Sequence, residues 1–173
     1  MTHHRASRPE RLCAMDIETV PDRALLPADW GDKFPRTIHH RVACISFVEA
    51  AIEIDGDGRE RFLMTDCRSG GEPGWSEVQL LEGFWSYFQK RPTRIVSWNG
   101  RGFDVPVLLH RSMIHGLTAA GWYGSSSRYD GYGYRYADDR HCDLMDQMSD
   151  FGACAKLSLD EVARALGLPG KIG

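Results

Sequence analysis

Residues 94–115 read Arg-Ile-Val-Ser-Trp-Asn-Gly-Arg-Gly-Phe-Asp-Val-Pro-Val-Leu-Leu-His-Arg-Ser-Met-Ile-His. The first five, with Ile95, Val96 and Trp98, read as a strand. Asn99-Gly-Arg-Gly102 is a two-glycine turn, and the apolar residues after Asp104 recur at helical spacing. Pro106 falls in the first helical turn, where a missing N–H does no harm, and Gly116 supplies the stop. The reading is strand, turn, helix, the unit from which α/β sheets are assembled. It places Asp104 at the mouth of a helix, where the dipole and free N–H groups favour an ionised carboxylate. The plainer reading of Asp104 is an N-cap, but capping alone does not explain the preceding Asn99, the paired glycines and the acid pair upstream.

Upstream, Arg11-Leu-Cys-Ala-Met-Asp-Ile-Glu18 is an apolar run closed by Thr19-Val-Pro21, a buried strand followed by a turn. Arg41–Val48 is a second strand, and Ala50–Ile54 extends it to the turn Asp55-Gly-Asp-Gly58. Glu60–Met64 then completes a meander. Residues 22–41, framed by Pro21, Pro27 and Pro35, read as an irregular excursion. Ser76 and Gln79 form a capping box that opens a helix over 77–90, with Val78, Leu81, Trp85 and Phe88 on one face. Residues 121–137 are rich in glycine, serine and tyrosine and read as a long loop outside the core. Residues 140–146 read as a strand passing into a helix. Ser158 and Glu161 cap a last helix bearing Leu159, Val162, Ala163 and Leu166. Strands first, then alternating strands and helices, predict one α/β domain: a mixed sheet with antiparallel first strands and flanking helices.

Composition excludes several classes. At 173 residues, with 42% hydrophobic and 26% charged, the chain is sized and composed as one globular domain. No apolar run approaches the ~20 residues of a membrane span, and the polar start lacks the apolar stretch of a secretory signal, so a cytoplasmic location without membrane contact is expected. Five cysteines, an odd number without a Cys-x-x-Cys, argue against a disulfide framework or a zinc ribbon. The adjacent pairs His3-His4 and His39-His40 do not share a face and do not suggest a zinc site. A net charge of -3 removes any argument from a basic chain while leaving nucleic acid open as a partner.

Asp16 and Glu18 stand two positions apart on a strand with apolar neighbours and therefore share a face. Their Cα atoms lie roughly 6.6 Å apart, which lets both carboxylates converge on one hard cation or bridge two. Two solvated acids on an edge strand would look the same. Tyr123, Tyr129, Tyr132, Tyr134 and Tyr136, interleaved with Arg128 and Arg135, either stack on bases while the arginines meet phosphates or form a neutral surface loop.

Asp16-Ile-Glu-Thr19 followed by Asn99-x-x-x-Phe103-Asp104 resembles the first two motifs of the DEDD superfamily of 3′–5′ exonucleases. The fuller strings, Asp16-Ile-Glu-Thr-Val-Pro21 and Ser97-Trp-Asn-Gly-Arg-Gly-Phe-Asp-Val-Pro-Val107, are most similar to the predicted exonucleases related to the proofreading domain of family B DNA polymerases. The resemblance implies a ribonuclease H-like fold and two divalent ions, Mg²⁺ or Mn²⁺, held by four acids, among them Asp16, Glu18 and Asp104. It implies metal-dependent release of nucleoside 5′-monophosphates from the 3′ end of a nucleic acid, and the expected substrate is a single strand, DNA in preference to RNA. Thr19 and Val20 would lie beside the terminal nucleotide and Asn99 near the scissile phosphate, although Asn99 reads equally as a turn-shaping residue. Phe103 belongs to the same motif, its ring also suited to the core. The third motif, with its tyrosine or histidine and the fourth aspartate, is expected after Leu166–Gly173, so residues 1–173 are expected to be one exonuclease domain lacking its C-terminal part. Asp143 or Asp146 could stand in for the fourth acid. The alternative is a nucleic-acid-binding module that keeps the fold without turnover. Oligomeric state is not legible.

Overall fold

The computed structural model describes residues 9–71, 73–90, 93–124 and 129–170. Strand β1 (Arg11–Pro21) lies at the centre of a five-stranded sheet whose other members are β2 (His40–Ile54), β3 (Glu60–Gly70), β4 (Arg94–Ser97) and β5 (His141–Asp143), in the order β3-β2-β1-β4-β5. The meander β1-β2-β3 is antiparallel, whereas β4 and β5 add parallel to the other side of β1. This is the expected mixed α/β sheet. The second strand continues through Ala50–Ile54 to its turn as expected, whereas β3 runs past the expected Met64 to Gly70 and pairs with β2 along that length.

Strand β1 alternates with period two: Cys13, Met15 and Ile17 point into the core, and Asp16 and Glu18 point out of it. Helix α1 (Glu77–Lys90) brings Leu81, Phe84, Trp85 and Phe88 to that core, and α2 (Asp104–Ile114) brings Val105, Val107 and Leu108. Burying each such side chain is worth about 1.5–3 kcal/mol. The two helices are stitched by Trp85 Nε1, which donates to Ser112 Oγ at 2.7 Å, and by a buried ion pair between Glu77 and Arg111. Short helices α3 (Ala120–Tyr123) and α4 (Leu144–Met148) and the terminal α5 (Leu159–Ala165) complete the chain. The capping box of α5 forms as the sequence predicts, yet none of its residues is buried.

The segment 121–137 departs from expectation. Residues 125–128 lie outside the described residues, so Arg128 is not placed, but Trp122 and Tyr132 belong to the core, their rings stacked 5.3 Å apart. The Tyr132 hydroxyl donates to the Thr93 carbonyl at 2.7 Å and accepts from the Thr93 N–H at 3.2 Å, so its polar end is satisfied where it is buried. All five cysteines are free thiols. Among the described residues no helix is long and apolar enough to cross a membrane.

Candidate active site

The pleat of β1 leaves Asp16 and Glu18 on an open face. Directly after Glu18 the β1–β2 register slips: Glu18 opposes Cys44 and Thr19 opposes Val42. Such a bulge twists a strand and re-aims its side chains. Here the extra residue is Ala43 on β2, opposite the Glu18–Thr19 step. Thr19 Oγ1 bonds His40 Nδ1 at 2.9 Å, and Val20 is solvent-exposed.

Asp104 reaches this strand from α2. It is not the N-cap; that position belongs to Phe103, which makes no side-chain cap. Instead Asp104 Oδ1 accepts the Ile17 N–H at 3.2 Å. Parallel pairing of β1 with β4 covers only Leu12–Ala14, and the buried carboxylate takes up β1 just beyond it. Asp104 is 4% exposed. Burial, then the neighbouring charge of Asp16, pushes its carboxyl up to about 6. Among the described residues no cation pairs with Asp16, Glu18 or Asp104.

Asp143 does different work. It is 3% exposed. Its Oδ1 accepts from Asn99 N (2.9 Å), Met145 N (3.1 Å) and Asp146 N (3.4 Å), and its Oδ2 from Arg101 N (2.8 Å). One carboxylate thus caps α4 and fixes the turn at the end of β4. Within that turn Asn99 adopts the left-handed region at φ 60°, a conformation asparagine tolerates better than most residues. A Cβ on Gly100 would collide with the Ser97 side chain, and one on Gly102 would lie 2.5 Å from Asn99 Oδ1. The asparagine amide therefore folds over Gly102, which matches the turn-shaping reading. Asp146 is held by both guanidinium nitrogens of Arg135, each at 2.9 Å.

Phe103 packs edge-on to His40 (5.0 Å between centroids) and tilted against the exposed Phe34 (5.8 Å). Phe34 and His40 thus join the neighbourhood of Thr19 and the acids. Neither was legible, because they sit in or beside the irregular excursion. Arg101 was also missed. Its guanidinium donates to the backbone carbonyls of Tyr132, Tyr134 and His141, ties that no local pattern announces.

Hard carboxylate oxygens, unpaired and mutually repelling, are the donor chemistry a divalent cation satisfies. Asp16, Glu18 and Asp104 fit that requirement in kind and in unmet charge. Among the described residues, however, no three His, Cys, Asp or Glu side chains already stand close enough to form a metal-binding set.

Comparison with known proteins agrees with this architecture. E. coli exonuclease I in complex with a dA16 oligonucleotide superposes with a TM-score of 0.53 at 13% identity, over 93% of this chain and 37% of that one. A product-bound exonuclease I gives 0.56 at 13% identity, over 93% and 39%. These likenesses establish the ribonuclease H-like fold. A catalytic polypeptide of DNA polymerase epsilon from Arabidopsis thaliana is 30% identical over 128 residues, 62% of this chain and 5% of that protein. The chain therefore spans well under half the length of these relatives. The family described as predicted 3′–5′ exonucleases related to the exonuclease domain of PolB matches residues 32–173, a span that contains the Asn99–Asp104 turn and starts after Asp16 and Glu18. By that match the chain belongs to this exonuclease family.

Proposed function

We propose that this chain is a metal-dependent 3′–5′ exonuclease acting on single strands, DNA in preference to RNA, and that Asp16, Glu18 and Asp104 hold two Mg²⁺ or Mn²⁺ ions. The observation that carries the reading is the arrival of Asp104, from α2, at the strand that bears Asp16 and Glu18, where the Ile17 N–H holds its buried carboxylate beside the charge of Asp16. The complexes of exonuclease I with oligonucleotides support a single strand as substrate.

Bound divalent ions supply Lewis acidity, lowering the pKa of water and neutralising charge on phosphate and leaving oxygen. The protein supplies position. Asp104 is tied to β1 by the Ile17 N–H, which orients its carboxylate relative to Asp16. Thr19 and Val20 follow the acids along β1, where a terminal nucleotide would lie. Asp143 is assigned to holding the Asn99–Gly102 turn, and through it the start of α2, rather than to metal.

The test is digestion of a 5′-labelled single strand with Mn²⁺. A ladder shortening from the 3′ end, abolished by Asp16→Ala, is the expected result; no shortening, or shortening that survives Asp16→Ala, overturns the reading. One observation favours the second reading, a strand-binding module without turnover: the two acids offered as stand-ins for the fourth, Asp143 and Asp146, are both engaged by other partners. Intact strand binding without any ladder would establish it.

A further inference from the structure

Beside the acid site the chain carries a feature that the proposed chemistry does not use. The rings of Tyr129, Tyr134, Tyr136 and Phe151 follow one another edge to face, with centroids 5.2, 5.6 and 4.7 Å apart. Tyr129 is 63% and Tyr136 56% exposed, so this is no satellite of the core. Phe151 is held in a strained position: it and Asp150 both adopt left-handed backbone, at φ 53° and 47°, a region unfavourable to residues other than glycine. Arg135 secures it, donating to the Phe151 carbonyl at 3.1 Å with its guanidinium 5.7 Å from the ring centroid.

Next to this row a cavity of about 390 Å³ opens between the Asn99–Gly102 turn and Gly133, with Arg101, Arg135 and Lys156 on its walls. Its two acids, Asp143 and Asp146, are already satisfied. The Arg101 guanidinium donates to backbone carbonyls; burial works against its charge, and the nearby Asp143, Asp146 and Asp138 favour it. Among the described residues neither Arg101 nor Lys156 pairs with a carboxylate. Two cations outside direct ion pairs, beside exposed aromatic faces, match the alternation of phosphate and base in a single strand. The row spans more rings than one base can cover, and one wall of the cavity is the turn that leads to Asp104, which favours a strand over a free nucleotide.

From this we infer that Tyr129, Tyr136 and Phe151, with Arg101 and Lys156, form a docking track for the strand 5′ to the reacting end, bases stacking on the rings and phosphates meeting the two cations. The inference rests on the nuclease reading for its direction along the strand.

The test measures binding of the full chain in EDTA, by anisotropy, to a fluorescent thymidine strand and to an abasic strand of equal length. Tyr129→Ala/Tyr136→Ala should weaken binding of the thymidine strand at least about fivefold and leave the abasic strand unaffected. Tyr129→Phe/Tyr136→Phe, which keeps the rings, should bind as wild type does. Lys156→Ala should weaken both strands and reduce the salt slope by about 0.7. A double alanine variant that binds thymidine as wild type does, or a wild type that binds the abasic strand equally well, overturns the track. Mn²⁺-dependent shortening at saturating strand separates the two readings. If it persists while the alanine variant binds normally, only the track falls. If the wild type fails to shorten a strand whose binding is ring-dependent, only the nuclease reading falls.

Discussion

Asp104 is a charge kept where folding alone would not place one. With its carboxyl raised to about 6 by burial and by Asp16, the native chain at pH 7.5 holds an anion that the unfolded chain holds more easily. Asp104→Asn can still accept the Ile17 N–H, so in EDTA it should stabilise the fold by on the order of 1–2 kcal/mol, read from urea midpoints at pH 7.5. The gain should fade as pH falls from about 6 towards 4, where the wild-type carboxyl takes up its proton. The same substitution should end strand shortening, and that opposition of stability and activity would mark a functional charge. Gly100→Ala tests the neighbouring turn. The added methyl meets Ser97, which cannot swing aside without leaving its 2.8 Å bond to His141 Nε2. A loss of about 1–3 kcal/mol is expected from the thermal midpoint. At this scale the sequence announced a turn with two glycines but not what occupied the space beside each one. Ser97 and Asn99 do so only after the chain has folded back.

Elements with local signatures were legible, and those held by distant partners were not. Helices α1 and α5 start where Ser76–Gln79 and Ser158–Glu161 predict, both boxes closed by reciprocal hydrogen bonds. No comparable cue exposed the clamp between α1 and α2. Glu77 accepts from Arg111 at 2.8 and 2.6 Å, from His115 Nε2 at 2.9 Å and from the Val42 N–H at 2.7 Å, while Arg111 also reaches Asp22 at 2.9 Å. These partners come from four separate segments. Burial alone would raise the Glu77 carboxyl, but the hydrogen bonds from Arg111, His115 and Val42 outweigh it and hold the carboxyl below its ordinary range. Its contribution is therefore present above the unfolded value near 4.3 and lost as pH falls through the lower native one. Glu77→Ala should destabilise by about 3–5 kcal/mol at pH 7 by leaving Arg111 short of its partner, and the deficit against wild type, read from urea midpoints, should shrink at pH 3. The misread tyrosine belongs here too. Spacing in a glycine-rich run cannot say which ring turns inward, and Tyr132 does so because Thr93 offers its hydroxyl both a donor and an acceptor.

Over the whole molecule, the order of strands and helices was enough to predict a mixed sheet. The acids from β1 and α2 meet because β4 lies next to β1, a pairing across more than eighty residues that periodicity does not encode. Stability of the assembled fold carries a signature of its own in His141. The ring is fully buried, its Nδ1 has no partner, and burial, then the charge of Arg101, lowers its pKa from 6.5 to about 3. Below pH 6.5 the unfolded chain takes a proton that the native chain refuses, so stability falls with pH. Relative to His141→Gln, the wild type should lose up to about 1.4 kcal/mol per pH unit between pH 6.5 and 4.5, measured by urea unfolding in parallel. The alternation along β1 has a genetic consequence. Odd positions 13, 15 and 17 build the core and even positions 16 and 18 the outward face that carries the proposed metal ligands, so inserting or deleting one residue in this strand exchanges the two sets and spoils the fold together with the proposed chemistry. Loss or gain of a pair restores the parity, and length changes tolerated before Asp16 should therefore come in twos.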